Sequence, residues 1–197
     1  VCSSDLFCLQ IQPNIQPYAD ALNKKLLQSP ALKELDEVKY HTYLRNVKKS
    51  IELFREENIP LQAELSVLQQ QYGQITGSMT VEVDGKEYTL QQAAKFLESK
   101  DRSKREDVFH KIQQRRLKEK DKLNELFDKL VAIRNTEAKN AGFDNYRSYR
   151  FKELGRFDYS EKDCYQFHEA VKLHVLPLVS DIYRKKKTAH GLDTLKP

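Results

Sequence analysis

Residues Tyr40 to Ile75 read YHTYLRNVKKSIELFREENIPLQAELSVLQQQYGQI, and this stretch decides the fold. Tyr40, Leu44, Val47, Ile51 and Phe54 recur at alternating spacings of four and three, as do Leu61, Leu65, Leu68, Tyr72 and Ile75. Positions three and four apart share one face of an α-helix, so each run predicts an amphipathic helix. Between them Asn58-Ile59-Pro60 is expected to break the chain, because the residue before proline is driven out of the α region. Two such helices around a tight break are expected to pack antiparallel, as a hairpin.

The same reading extends in both directions. Upstream, Ile15, Tyr18, Leu22 and Leu26 mark a first amphipathic helix that ends before Ser29-Pro30. Ser29 is then the expected N-cap of the next helix, with Pro30 at its first position. Downstream, TVEVDGKEYTL (80–90) alternates apolar and polar residues and crosses Asp84-Gly85, a dipeptide suited to a two-residue hairpin turn. Thr89 and Gln92 form a capping box for a short helix through Phe96 and Leu97. Asp101, or Ser103 with Glu106, starts a long helix expected to reach Asn140, with Gly142 at the C′ position. Its middle, QQRRLKEKDK (113–122), holds only Leu117 as an apolar residue and predicts a solvated, projecting span.

Asn145 to Leu154 is expected as a short aromatic helix ending at Gly155. Ser160 caps a last long helix with Cys164, Phe167, Val171, Leu178 and Ile182 on one face. Pro177 should kink it by removing an amide donor. The fold class is all-α, with long amphipathic helices, helical hairpins and one small β-hairpin near residues 79–90.

Composition agrees. Charged residues make up 32% and hydrophobic ones 39%, Trp is absent, and Gly and Pro number six each, which disfavours an all-β chain. No apolar run approaches the roughly 20 residues that span a bilayer. Lys and Arg number 34 against 29 Asp and Glu, an excess too mild to indicate nucleic acid. Cys2, Cys8 and Cys164 form no C-x-x-C pair and no disulfide framework, so a soluble cytoplasmic protein with reduced thiols is expected. The chain opens VCSSDLF without a Met and ends GLDTLKP. Residues 1–13 are read as an N-terminal scar or disordered lead, and 14–197 as one helical region of a longer protein.

Chemistry is sparse. FHEAVKLH (167–174) begins like the zinc-peptidase signature H-E-x-x-H, whose histidines lie one helical turn apart. Here the fourth residue after His168 is Lys172, and His174 stands six residues on, about 120° away around a helix. This stretch is not the zinc site. The five histidines, His41, His110, His168, His174 and His190, include no pair at i, i+4. Cys164 and His168 have that spacing, but two ligands make no site. His174 is read as a core or interface histidine. The basic run RKKK (184–187) is expected to compensate a helix dipole. The stretch NYRSYRFKELGRFDY (145–159) has the composition of a base-stacking surface, but a packing role is favoured.

One long block carries a resemblance. AIRNTEAKNAGFDNYRSYRFKELGRFDYS, followed by FHEAVKLHVLPLVSDIYRKKKTAHGLDTLKP, resembles the oligoendopeptidase F group of zinc metallopeptidases, related to thimet oligopeptidase. The residues that carry it are Arg134, Ala138, Gly142, Phe143, Asn145, Tyr146, Tyr149, Arg150, Arg156 and Tyr159. Val175, Pro177, Leu178, Gly191, Leu192 and Leu195 follow. The likeness is diffuse from residue 14 and more specific from residue 130.

The resemblance implies the N-terminal half of a bowl-shaped helical enzyme that cleaves short peptides within a channel. Its zinc would be held by the histidines of H-E-x-x-H and a downstream glutamate, with the glutamate of the motif as general base. It also implies that this chain supplies a wall of the channel and packs on a catalytic half beyond Pro197. No catalytic, cofactor-binding or metal residue transfers to a position here. Zinc is expected in the missing half and not in this chain, which alone should be inactive. The expected partners are short peptides and that half, with no membrane and no nucleic acid. The competing reading is a non-enzymatic helical scaffold or interaction module, including one that binds nucleic acid.

Overall fold

The computed structural model describes residues 6–195, which fall in two compact units, one ending at Glu153 and one beginning at Leu154. Of the expected lead, residues 6–13 are described. They are helical: a wide turn over Phe7–Ile11 runs directly into helix α1, Gln12–Leu27. Ser29 is extended as expected, but its side chain caps nothing, and Pro30–Glu34 forms only a short 3-10 turn. The next helix, α2, is Glu37–Leu53, and its cap is Asp36, whose carboxylate accepts from the Lys39 amide at 2.9 Å. Asp is as good a cap as Ser and here has the amides in reach. The predicted start at Ser29-Pro30 is therefore corrected to Asp36.

Helix α3 spans Asn58–Gly77 and takes Pro60 into its first turn, where the missing amide has no intrahelical partner to lose. The break lies earlier, at extended Phe54 and the turn after it. The predicted α2–α3 hairpin is not the main packing. α2 packs on α1 and on α7, Tyr146–Glu153, while α3 packs on α6, Lys120–Asn140. The linker explains the choice. The Arg55 guanidinium donates to the carbonyls of Asn140 and Ala141 at 3.1 and 3.4 Å, fastening the break to the end of α6.

Strands β1 (Thr80–Val83) and β2 (Lys86–Thr89) pair antiparallel with Val83 opposite Lys86. Asp84 and Gly85 both have positive φ, 53° and 74°, the two-residue turn that matches strand twist. Thr89 and Gln92 complete their capping box at the start of α4, Leu90–Ala94. Val81, Val83 and Ala93 close on Val108 and Ile112 of α5, Arg102–Leu117. Asp101 caps α5, accepting from Ser103 and Lys104.

The single helix expected from Asp101 to Asn140 is two. The chain turns at Lys118-Glu119, within the charged middle. Glu119 is held by Lys122 and Arg115, both at 2.9 Å, and these ion pairs keep its carboxyl below the usual range, Lys122 first. With only exposed Leu117 to bury, no packing holds the middle as one rod. α6 ends as expected at Gly142, φ 85°, with Gly142 N–H on Lys139 O and Phe143 N–H on Ala138 O, both 2.9 Å. Leu126 and Leu130 of α6 meet Leu65 and Leu68 of α3.

The second unit contains α8 (Glu161–Ala170), a wide turn (Val171–Val175) and α9 (Leu176–Ala189). Ser160 and Asp163 cap α8 reciprocally, and the Ser160 hydroxyl holds the Asp163 carboxyl below its ordinary value. Pro177 sits in the first turn of α9, directly after the π turn, where its missing amide costs no intrahelical hydrogen bond. The described part of this unit has no buried side chain, and Phe167, Leu178 and Ile182 are more than 60% exposed.

Candidate functional site

The main departure from expectation is on α1. Three residues of its stripe, Ile15, Tyr18 and Leu22, face solvent, at 54, 74 and 66% exposure, and the fourth, Leu26, is half-buried. The opposite face points inward, so Gln16 and Asn23 are half-buried and Asp20 is buried. A polar helix face can be buried only against polar partners, and these are present.

At the centre is Glu137 of α6, 4% exposed. Its Oε1 accepts from Gln62 Nε2 at 2.9 Å and from the Tyr149 hydroxyl at 3.2 Å, and its carbonyl accepts from Asn58 Nδ2 at 3.0 Å. Asn140 Nδ2 donates to Asn58 Oδ1 at 2.8 Å, and Gln16 Nε2 donates to Gln62 Oε1 at 3.0 Å. The network thus ties α1, α3, α6 and α7 through side chains and the Glu137 carbonyl. Burial, and then the negative Glu137, push the Tyr149 phenol well above its ordinary pKa, so it acts as a donor.

The rim of this network is a cleft of about 400 Å³ in the first unit. α1 contributes Asp20, α2 contributes Lys49 and Ser50, the break after it contributes Phe54, and α7 contributes Tyr149 and Glu153. Lys49 Nζ donates to the Glu153 carbonyl at 3.0 Å, and Ser50 donates to the Asn46 carbonyl at 2.9 Å. Arg150 and Glu153 form an ion pair that raises the Arg150 pKa. The cleft offers polar recognition and an aromatic wall, with no nucleophile and general base in register.

The residues singled out in the sequence are mostly scattered. Cys164 is half-buried on α8. His168 on the same helix contacts the Tyr165 and Phe167 rings at 6.2 and 6.3 Å between centroids. His174, read as a core or interface histidine, is exposed in the π turn, in a unit whose described part buries no side chain at all. His41 and His190 are exposed, and His110 lies 3.9 Å from Glu106. Among the described residues no three of His, Cys, Asp and Glu stand close enough to hold a metal ion. The zinc that the resemblance implies therefore has no fitting donor set there, and Cys2 lies outside the described residues. No described helix is long and apolar enough to cross a membrane.

The first part of the aromatic block packs, while Tyr159 at its end is 47% exposed. Tyr149 is buried, Phe143 meets it edge-on at 5.6 Å, and Arg134 lies over the Tyr146 ring at 5.7 Å. Lys186 and Lys187 of the basic run occupy the last turn of α9, where cations oppose the dipole. Sequence reasoning missed Asp20, Asn58 and Glu137. Only Glu137 carried a signal, an acid directly before Ala138 and three residues after Arg134.

With that geometry established, comparison with known proteins is informative. Residues 95–197 match the sequence model of Peptidase family M3. No curated protein matches the chain. Among solved structures, a chain from Bacillus anthracis str. Ames assigned to oligoendopeptidase F is 23% identical over 98% of this chain, with TM-score 0.89. Pz peptidase A, solved with an inhibitor, gives the same identity, coverage and TM-score. These likenesses establish the fold. The chain spans 35 and 34% of those two chains, about a third of their length.

Proposed function

The chain belongs to peptidase family M3, and from that premise we propose that it is the N-terminal part of a zinc-dependent oligopeptidase acting on short peptides. On this reading residues 14–197 form a helical region that walls the substrate channel, and the H-E-x-x-H motif and its third ligand lie beyond Pro197. The observation that carries the reading is the match of almost the whole chain to one third of an oligoendopeptidase-like structure. Apolar residues exposed on α1, α8 and α9 supply surface for a further part of the protein to cover. The protein is expected to work in the cytoplasm.

The test is expression of the whole reading frame that contains this chain. It should encode a helical H-E-x-x-H after Pro197. It should also hydrolyse short fluorogenic peptides but not folded proteins, lose activity to a chelator and regain it with zinc. The 197-residue chain alone should be inactive. A frame without the motif, or a whole protein without peptidase activity, overturns the proposal. A steeply salt-dependent affinity for nucleic acid would then favour the scaffold reading.

A further inference from the structure

The inward face of α1 ends in an atom without a partner. Asp20 is 8% exposed, and its Oδ2 holds Lys24 Nζ at 2.6 Å. Its Oδ1 is buried and accepts no hydrogen bond, although Asp20 lines the 400 Å³ cleft. Buried carboxylate oxygens normally find donors, because lost hydration is otherwise not replaced.

The hydrogen bonds made by the surrounding donors go to acceptors other than Asp20. Gln62 Nε2 serves Glu137, Gln16 Nε2 serves Gln62, Ser50 serves Asn46 and Lys49 Nζ serves Glu153. None of these bonds reaches Asp20 Oδ1, which is left as a buried acceptor on a residue that lines the cleft. A metal ion would find too few ligands. A group carrying several N–H donors would suit. The charges around the cleft cancel, with Asp20, Glu153 and Glu137 against Lys24, Lys49 and Arg150, so an added cation meets no net repulsion. Phe54 already has a cation near its ring, with Lys24 Nζ 6.0 Å from the centroid.

We propose that this cleft is a binding site for a primary ammonium group, which donates to Asp20 Oδ1 while Lys24 keeps Oδ2. A charged donor is favoured over a neutral amide because it adds direct charge–charge attraction to the hydrogen bond that either would make with the carboxylate. The ammonium can come from the amino terminus of a peptide or from a lysine side chain. The proposal does not depend on the peptidase reading, since it concerns binding to the chain itself.

Amide-detected NMR titration of the 197-residue chain tests it with three probes. Trialanine carries only an α-ammonium, Nα-acetyl-lysine amide only a side-chain ammonium, and Nα-acetyl-alanine amide neither. At least one of the first two should shift the Asp20 and Ser50 signals saturably, and the third should not. The tighter of the two identifies the source. Asp20→Asn should weaken binding at least tenfold. Lys24→Met, which releases Oδ2, should strengthen it several-fold. Equal binding of the neutral probe, no binding of either ammonium, or an unchanged Kd in D20N overturns the site. If D20N does not fold, the neutral probe and K24M decide, and a Kd unmoved or weakened by K24M counts against the proposal.

Discussion

Helices α1 and α3 both carry apolar stripes at helical spacings of three and four, yet they bury opposite faces. On α3 the stripe is the core, with Leu65 and Leu68 at 8 and 7% exposure against Leu126 and Leu130. On α1 the stripe faces out, and Gln16, Asp20 and Asn23 face in. The difference is what each helix meets. α3 faces a leucine ridge, whereas α1 faces Gln62 on a network organised by buried Glu137. Periodicity therefore identifies a helix and its two faces, but the buried face is selected by the neighbour.

The largest expected effect comes from Leu65→Ala, which should cost about 2–5 kcal/mol by transfer and cavity terms. Leu22→Ala should stay within about 0.5 kcal/mol. Urea unfolding of the pair measures the contrast directly. Equal losses would mean that the α1 stripe is covered in solution, and the comparison fails.

Tyr149→Phe probes the polar core. It leaves a buried Glu137 oxygen one donor short, for a loss of about 1–3 kcal/mol near neutral pH. The pH dependence has a definite sign. The native phenol has its pKa raised above the unfolded value of about 10, so the native state keeps a proton that the unfolded chain releases. Its contribution is complete below pH 10 and is lost as pH rises toward the native pKa. The stability gap between wild type and Y149F should thus narrow above pH 10. A constant gap would remove Tyr149 from the network's energetics.

Gly85→Val comes next, at about 1–2 kcal/mol. Nothing lies within 4 Å of a Cβ there, so the cost is the left-handed backbone alone. Asp101→Ala, which deprives two amides of α5 of their acceptor, should cost about 1 kcal/mol. These two sites depend only on local rules and calibrate the other comparisons. If either matched Leu65→Ala in thermal unfolding, local rules could not be separated from packing here.

Much was legible without coordinates wherever neighbours in sequence satisfy one another. The Asp84-Gly85 turn, the Thr89–Gln92 box, the Ser160 cap and the Gly142 stop each close within six residues. Their geometry therefore follows from residue type and spacing. The aromatic block was legible as packing, and its resemblance to oligoendopeptidase F carried the fold.

Tertiary structure alone decided the rest. The split at Lys118-Glu119 depends on what the charged middle fails to bury, and the partners of α2 and α3 on where Arg55 is fastened. The candidate cleft lay beyond reach for a similar reason. Asp20 and Glu137 read as solvent-facing acids on polar helix faces, and they are buried only because contacts between residues 46 to 104 apart in sequence bring Gln62 and Lys49 to one place. A charged residue's burial is set by the donors that surround it, and those donors have no signature in its own helix.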